Sequence, residues 1–243
     1  MSPADFGWEP LYIALAVLAA ALYRRAARAE PVPRWRLVVF GSGLLLVAAS
    51  LNSPLENIAA HYLLLIHLLQ NALIADVAPL LVMLGLTPRM REELARRGLG
   101  RIRSRWILPV WLGAWYLTHL APFYDWALRT NWGLNIEHAI LIAAGLLFWW
   151  PIVSGRLTPA TGIGYLAAAF VGSSFLGLAY IFSSTPFYSF YEHVPRLWGL
   201  SPARDQNLGG IFMNGEQTLV FLLTIGWFIV RLLDEEDGSP ARA

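Results

Sequence analysis

The stretch HYLLLIHLLQNALIADVAPLLVML, residues 61–84, decides the fold class, because it is apolar over a length sufficient to cross a lipid bilayer. The whole chain shares this character: 57% of its 243 residues are hydrophobic, 14% are charged and the mean hydropathy is +0.51. Soluble globular domains carry roughly 25% charged residues. Backbone polar groups in lipid must be hydrogen-bonded within the chain, so the sequence predicts an all-α, polytopic membrane helix bundle.

The absence of one residue type and the lack of known motifs among others exclude several classes of enzyme and metal site. The chain has no Cys, which excludes disulfides, thiolate metal sites and cysteine catalysis. Its glycine clusters lack the strand–loop–helix context of a phosphate-binding loop, and its Ser, His and Asp residues show no triad-like order. We therefore predict that the protein is not an enzyme.

Six further apolar runs accompany the opening stretch, and together they predict seven transmembrane helices in a single membrane-embedded domain, residues 1–243. The predicted spans lie near residues 10–23, 37–51, 62–86, 106–121, 134–153, 162–182 and 210–232. Pro79 removes one backbone hydrogen bond and predicts a kink in the third helix. The sequence FWWP at 148–151 indicates an interfacial aromatic cluster followed by a helix end.

Arginine placement sets the predicted orientation. All 18 basic residues are arginines, and only Arg129, Arg196 and Arg204 fall in connections on one side of the predicted spans. Since cytoplasmic connections carry the excess of basic residues, the N-terminus is predicted to lie outside and the C-terminus in the cytoplasm. The Arg-rich connection at 89–105 indicates contact with membrane lipid headgroups rather than with nucleic acid.

Ligand-type side chains from four predicted spans meet at the outer level under this orientation. The predicted metal ligands are His67, His119, His138 and Met213. The predicted polar pocket around them includes Gln70, Asn71, Glu137 and Glu216. Asp76 falls roughly on the helix face opposite His67 and is a separate intramembrane acid. Without Cys, imidazole and thioether ligands favour copper, and Glu137 would fix a histidine tautomer.

The same residues also have a structural interpretation. Polar side chains in the outer part of a bundle hydrogen-bond across helices and hold them together, and a lone Met213 can fill a packing gap. His61 and His193 are predicted to be solvated or interfacial. Aromatic side chains in the connection before the last span indicate an interface belt or a docking surface. These side chains are Phe187, Tyr188, Phe190 and Tyr191.

Four segments, in order along the chain, resemble the signatures of one family. They are SPLENIAAHYLLLIHLLQNALIADVAPLLVMLGLTP (53–88), HLAPFYDWAL (119–128), EHAILIAAGLLFWWPIV (137–153) and DQNLGGIFM (205–213). They are similar to the seven-helix assembly factors of caa3-type cytochrome c oxidase, often called CtaG. The single-span copper chaperone that shares this name is a different protein.

The resemblance implies a multi-pass protein of the bacterial plasma membrane that helps to mature a haem–copper oxidase, with a role near copper insertion. It carries over His67, His119, Glu137, His138, Asp205 and Gln206 by position, so Asp205 and Gln206 join the predicted polar pocket. Three positions depart from the family pattern. Asn71 stands where the family usually has a second histidine, Leu134 where it often has another, and Asn214 where a tryptophan is common. These departures indicate a divergent member with part of the histidine set.

Three functions stay open at this point. The first is an assembly factor that assists copper delivery through an outward-facing pocket, with terminal oxidase subunits or other assembly factors as partners. The second is a membrane redox or transport protein, in which the histidines ligate haem or Asp76, Glu137 and Glu216 relay protons. The third is a structural subunit of the oxidase, which would co-purify stoichiometrically with the mature complex.

Overall fold

The computed structural model describes residues 2–237, apart from the side chains at positions 131, 236 and 237. Arg242, one of the 18 arginines counted for the predicted orientation, lies outside the described residues, as do the last residues of the predicted domain. Within them the regular structure is helical, as predicted. The main helices are α1 (Pro10–Ala27), α2 (Arg34–Leu51), α3 (Pro54–His61), α4 (Leu64–Gly85), α5 (Pro88–Arg96), α6 (Ser104–His119), α7 (Ala121–Leu128), α8 (Asn131–Val153), α9 (Pro159–Phe182), α10 (Ser189–Glu192) and α11 (Pro202–Asp237).

The helix starts follow from local sequence. Proline, which has no N–H to leave unpaired, occupies the first turn of several helices, at Pro10, Pro54, Pro88, Pro122 and Pro159. Hydroxyl side chains accept hydrogen bonds from the first free N–H groups of four helices. These capping residues are Ser53, Thr87, Thr130 and Thr158.

Six helices among the described residues are long and apolar enough to cross a membrane: α1, α2, α4, α8, α9 and α11. They make the chain a multi-pass membrane protein. The remaining predicted span, 106–121, corresponds to α6, which has 16 residues and contains Pro109. At about 1.5 Å per residue α6 extends roughly 24 Å, less than the roughly 30 Å of a hydrocarbon core. The count of seven spans therefore stays a prediction.

The largest difference from a predicted span lies at the start of α11. Helix α11 begins at Pro202 rather than near 210, because the polar residues Asp205 and Gln206 are buried inside the protein instead of lying in a loop. Helix α8 continues through Pro151 to Val153, and the aromatic residues before the proline are fully buried. The interpretation of FWWP as an interfacial cluster was wrong, since these rings belong to the core, whereas α8 ends at Val153, where its predicted span ends.

Helix α4 contains a π-helical turn, Leu73–Val77, immediately before Pro79. The turn absorbs the irregularity that a mid-helix proline imposes, and Trp149 of α8 donates its indole N–H to the carbonyl of Asp76 at 3.1 Å. Helix α8 comes so close here that a Cβ added at Gly145 would lie 1.9 Å from the carbonyl oxygen of Ala75. This contact fixes α8 against α4, the two helices that carry His138 and His67.

Two aromatic clusters occupy opposite ends of the bundle. At the Arg-rich end Trp111 stacks on Phe148, with ring centroids 4.4 Å apart. At the other end Tyr124, Tyr188 and Tyr191 are buried with Met213 in a second cluster. This second cluster encloses the polar residues described next.

Candidate metal centre

Three ligand-type side chains meet where α4 and α8 begin. His67 lies in the first turns of α4, and Glu137 and His138 lie in the second turn of α8. All three are 0–1% exposed. Burying a carboxylate without a cation is costly, so this position calls for a specific partner.

The donor atoms of these residues are close enough to share one ion. One ligand atom from each of His67, Glu137 and His138 can be chosen so that all three lie within 4.8 Å of one another. Nε2 of His67 is 3.6 Å from Oε1 of Glu137, and the His67 and His138 rings meet edge to face with centroids 6.0 Å apart. Bonds of about 2.0–2.2 Å to one metal ion hold donor atoms at most about 4 Å apart, so small side-chain rotations would complete the site.

The tautomer of His67 follows from its neighbours. Tyr191 donates its single hydroxyl hydrogen to the carbonyl of Ala59 at 2.5 Å. Its oxygen, 2.9 Å from Nδ1 of His67, must therefore accept the Nδ1 hydrogen. Nε2 of His67 consequently carries a lone pair, and it faces an oxygen of Glu137. Two lone pairs facing each other in a dry interior repel unless a proton or a metal ion lies between them.

His138 has no hydrogen-bond partner for either ring nitrogen among the described residues, although it is fully buried. Its ring lies edge to face with that of Tyr12, with centroids 6.1 Å apart. An unsatisfied buried polar group costs about 1–3 kcal/mol. Metal ligation would satisfy one of these nitrogens.

His119, at the end of α6, lies beside this group but is not within it. The carbonyl of Trp115 accepts its Nδ1 hydrogen at 2.7 Å, which leaves Nε2 with a lone pair and, among the described residues, without a partner. The ring of Tyr124 lies between the two histidines, with its centroid 5.0 Å from that of His67 and 5.8 Å from that of His119. The structure therefore brings together two of the three predicted histidine ligands, with Glu137 as a third donor.

Asn71 and Gln70, though adjacent, serve different neighbours. Asn71 donates from Nδ2 to Oε1 of Glu137 at 2.8 Å and so orients that carboxylate. Gln70 donates from Nε2 to the carbonyl of Ser50 at 2.7 Å and to Oε2 of Glu56 at 2.5 Å. Burial raises the pKa of Glu56 to about 7, against the hydrogen bond from Gln70 that lowers it. Gln70 thus connects α4 to α2 and α3, whereas Asn71 belongs to the candidate centre.

The side chains of Asp205 and Gln206 accept hydrogen bonds from backbone N–H groups of other segments. Asp205 accepts hydrogen bonds from the N–H groups of Leu64 and Leu65, at 3.0 and 2.9 Å, and from Arg196 at 2.9 Å. It therefore caps α4 across space, since Leu63 offers no capping side chain. Gln206 accepts from the N–H of Phe187 at 2.7 Å and fixes the connection before α10.

The other predicted residues lie deeper in the bundle or in its apolar packing. Oδ2 of Asp76 accepts from Nε2 of Gln217 at 3.3 Å. Glu216, the residue before Gln217, has two buried carboxylate oxygens without a hydrogen-bond partner among the described residues. Met213 is fully buried in the aromatic cluster around Tyr124.

Tyr191 is the contact that sequence reasoning missed. Its position predicted an interface belt or a docking surface, but Tyr188 and Tyr191 are 1% and 2% exposed, and the hydroxyl of Tyr191 contacts His67. Burial and then the charge of Glu137 raise the pKa of Tyr191 well above its ordinary value, so its phenol stays protonated. No sequence period reveals this role, because the connection carrying Tyr191 folds back over the bundle.

Comparison with known proteins identifies one relationship. The family model for the cytochrome c oxidase caa3 assembly factor matches residues 16–235, a range that contains every residue of the candidate centre. No curated protein and no solved structure matches the chain. The match confirms the resemblance drawn from the four sequence segments.

Proposed function

We propose, from the premise that this chain belongs to the cytochrome c oxidase caa3 assembly factor family, that it holds copper as cargo at His67, Glu137 and His138 during maturation of a terminal oxidase. The proposed partners are subunits of that oxidase or other assembly factors. The proposed location is the plasma membrane of a bacterium. The protein acts without catalysing a reaction of its own.

A single observation carries this proposal: Nε2 of His67 lies 3.6 Å from a carboxylate oxygen while its other nitrogen is committed to Tyr191. A cation between these two atoms would turn their repulsion into ligation. It would also offset the cost of burying Glu137, whose only hydrogen bond from a described side chain comes from Asn71.

The available donors suit copper. Imidazole nitrogens bind divalent first-row metals, and among these Cu²⁺ binds most tightly to a given set of nitrogen and oxygen ligands. His67 and His138 would supply nitrogen, Glu137 would supply oxygen, and Asn71 and Tyr191 would hold two of these ligands in orientation. His119, with its free Nε2 beyond Tyr124, offers a neighbouring position through which a departing ion would pass.

We further propose a seven-span topology in which the candidate centre lies near the outer surface. The centre lies where α4 and α8 begin and α6 ends, and the connections at the opposite ends of these helices carry most of the arginines. The excess of basic residues on the cytoplasmic side supports this orientation. Seven spans require α6 to cross with its polar ends in the headgroup regions.

A strain lacking the gene provides the functional test. We expect its terminal oxidase to contain less copper per haem, and we expect the wild-type gene to restore the copper. Unchanged copper content and assembly would overturn the proposal. Stoichiometric co-purification with the mature oxidase would instead identify a structural subunit, and a haem absorption spectrum from the purified protein would identify a haem carrier.

Tyr191→Phe tests the proposed support of His67. Removing the hydroxyl frees Nδ1 of His67 and lets its ring turn, so copper affinity is expected to fall about 10–100-fold. Competition with a coloured copper chelator measures this. Phe190→Leu is the neighbouring control, because this half-buried ring packs at the edge of the aromatic cluster. Equal affinities of Tyr191→Phe and wild type would show that the hydroxyl does not position the ligand.

A further inference from the structure

A groove at the Arg-rich end of the bundle, far along α4 and α8 from the candidate metal centre, has no role in the proposed copper function. Its cavity has a volume of about 740 Å³, within the range of about 300–1,000 Å³ that is typical of ligand pockets. Five helices contribute to it: the start of α2, the end of α4, helix α5, the end of α8 and the second half of α11. Four arginines line it, Arg36, Arg91, Arg156 and Arg231.

The four guanidinium groups leave positive charge uncompensated at this groove. None of them pairs with a carboxylate among the described residues; their recorded polar contacts are instead with neutral groups. Arg36 donates to the carbonyl of Leu84 at 2.9 Å, and Arg91 donates to the carbonyl of Val153. Nε of Arg91 is buried and has no partner among the described residues. Glu92 is the only acid in the lining, so the groove favours an anion.

The walls of the groove indicate the depth at which that anion would bind. Trp35 and Trp227 are 53% and 46% exposed, and Arg36 and Arg231 lie over their rings at 4.4 and 5.1 Å. Exposed Trp beside Arg is typical of the headgroup level of a membrane protein. Below the arginines the lining turns apolar along two helices. These apolar residues are Leu80 and Leu84 of α4 and Val220 and Leu223 of α11.

We propose that this groove binds an anionic phospholipid. The phosphate would lie among Arg91, Arg156 and Arg231, and an acyl chain would run between α4 and α11 along Leu84 and Leu223. A basic pocket between transmembrane helices is a recognised means of holding an anionic lipid headgroup. The continuous passage from guanidinium groups to an exposed apolar floor favours a lipid over a free anion, which would use only the charged part.

Lipid retention by the full-length protein tests this proposal. The chain is purified in mild detergent, incubated with phosphatidylglycerol or phosphatidylcholine, and examined by native mass spectrometry. We expect phosphatidylglycerol to be retained in preference to phosphatidylcholine. Arg91→Gln with Arg231→Gln is expected to lower that retention roughly 25-fold, or roughly fivefold per guanidinium, which corresponds to about 1 kcal/mol for each basic residue at a lipid surface.

Two further variants separate a built site from general attraction. Leu223→Trp fills the apolar floor without changing charge, and it is expected to lower retention as well. Arg96→Gln with Arg97→Gln removes the same charge from exposed positions that pair with Glu93, and it should leave retention within about twofold.

Three results would each overturn the proposal. One is an equal loss of phosphatidylglycerol from the Arg96 and Arg97 control, which would indicate charge attraction without a site. Another is equal retention of the two lipids by the wild-type chain. The third is release of phosphatidylglycerol by millimolar inorganic phosphate, which would identify a site for free anions.

Discussion

The variant His67→Ala with His138→Ala is expected to bind copper more than 100-fold more weakly than the wild-type chain. The variant removes both imidazoles of the candidate centre, and losing a residue that merely orients a ligand already costs about 10–100-fold. Glu137 would remain as the single buried donor. The measurement is a competition titration of purified protein against a chromophoric copper chelator, supported by metal analysis after dialysis.

The chain supplies its own control for this experiment. His193 follows α10, where it is exposed and its Nδ1 lies 2.8 Å from the carbonyl of Ser189, and it is not one of the three donors. His193→Ala should therefore keep the wild-type copper affinity. Equal copper binding by the double variant and by His193→Ala would exclude the site, and stoichiometric zinc in place of copper would exclude the proposed cargo.

A folding defect must be separated from the loss of ligands. His67 also contacts Tyr191, and cutting one interhelical hydrogen bond costs about 0.6–2 kcal/mol. The metal-free thermal midpoint of the double variant should consequently fall by only a few degrees. His67→Gln offers a second comparison, because a glutamine keeps a hydrogen-bonding group near Tyr191 without providing imidazole.

The sequence predicted part of the centre, because hydropathy shows which polar residues of different helices lie at the same depth in the membrane. His67 and His138 were predicted as ligands, and Glu137 as the acceptor that fixes a histidine tautomer, because apolar runs place them at the same level of two helices; the structure brings the three together. Hydropathy does not determine what lies between two residues at the same depth. Tyr124, from the short helix α7, separates His119 from the other histidines, and no helical period predicts that arrangement.

Boundary errors in the fold have a related cause. The start of α11 was placed too late because Asp205 and Gln206 are polar, and polarity alone does not distinguish a buried cap from an exposed loop. Both side chains are buried because they satisfy backbone groups of distant segments. Such contacts depend on the packing of helices that are distant in sequence, and the polarity of a single sequence does not predict that packing.

Asp205→Ala is expected to lower the free energy of unfolding by about 3–5 kcal/mol, because it removes a carboxylate that accepts three hydrogen bonds, each worth about 1.5–3 kcal/mol and not fully additive. Asp205 is fully buried, pairs with Arg196 and accepts from two N–H groups at the start of α4. Alanine would leave all of these donors without their acceptor. Titration with SDS in mixed micelles measures the change.

Two further variants separate the contribution of the Arg196 pair from that of the backbone cap. Arg196→Gln should cost less, about 1.5–3 kcal/mol for one hydrogen bond to a charged group, because Asp205 keeps both backbone donors. Asp234→Ala, at an exposed position of α11, should stay within about 0.5 kcal/mol of wild type. A cost for Asp205→Ala no larger than that for Asp234→Ala would refute the capping role. Since His67 follows the capped turn directly, a frayed start of α4 should also weaken copper binding, and this loss should accompany the loss of stability.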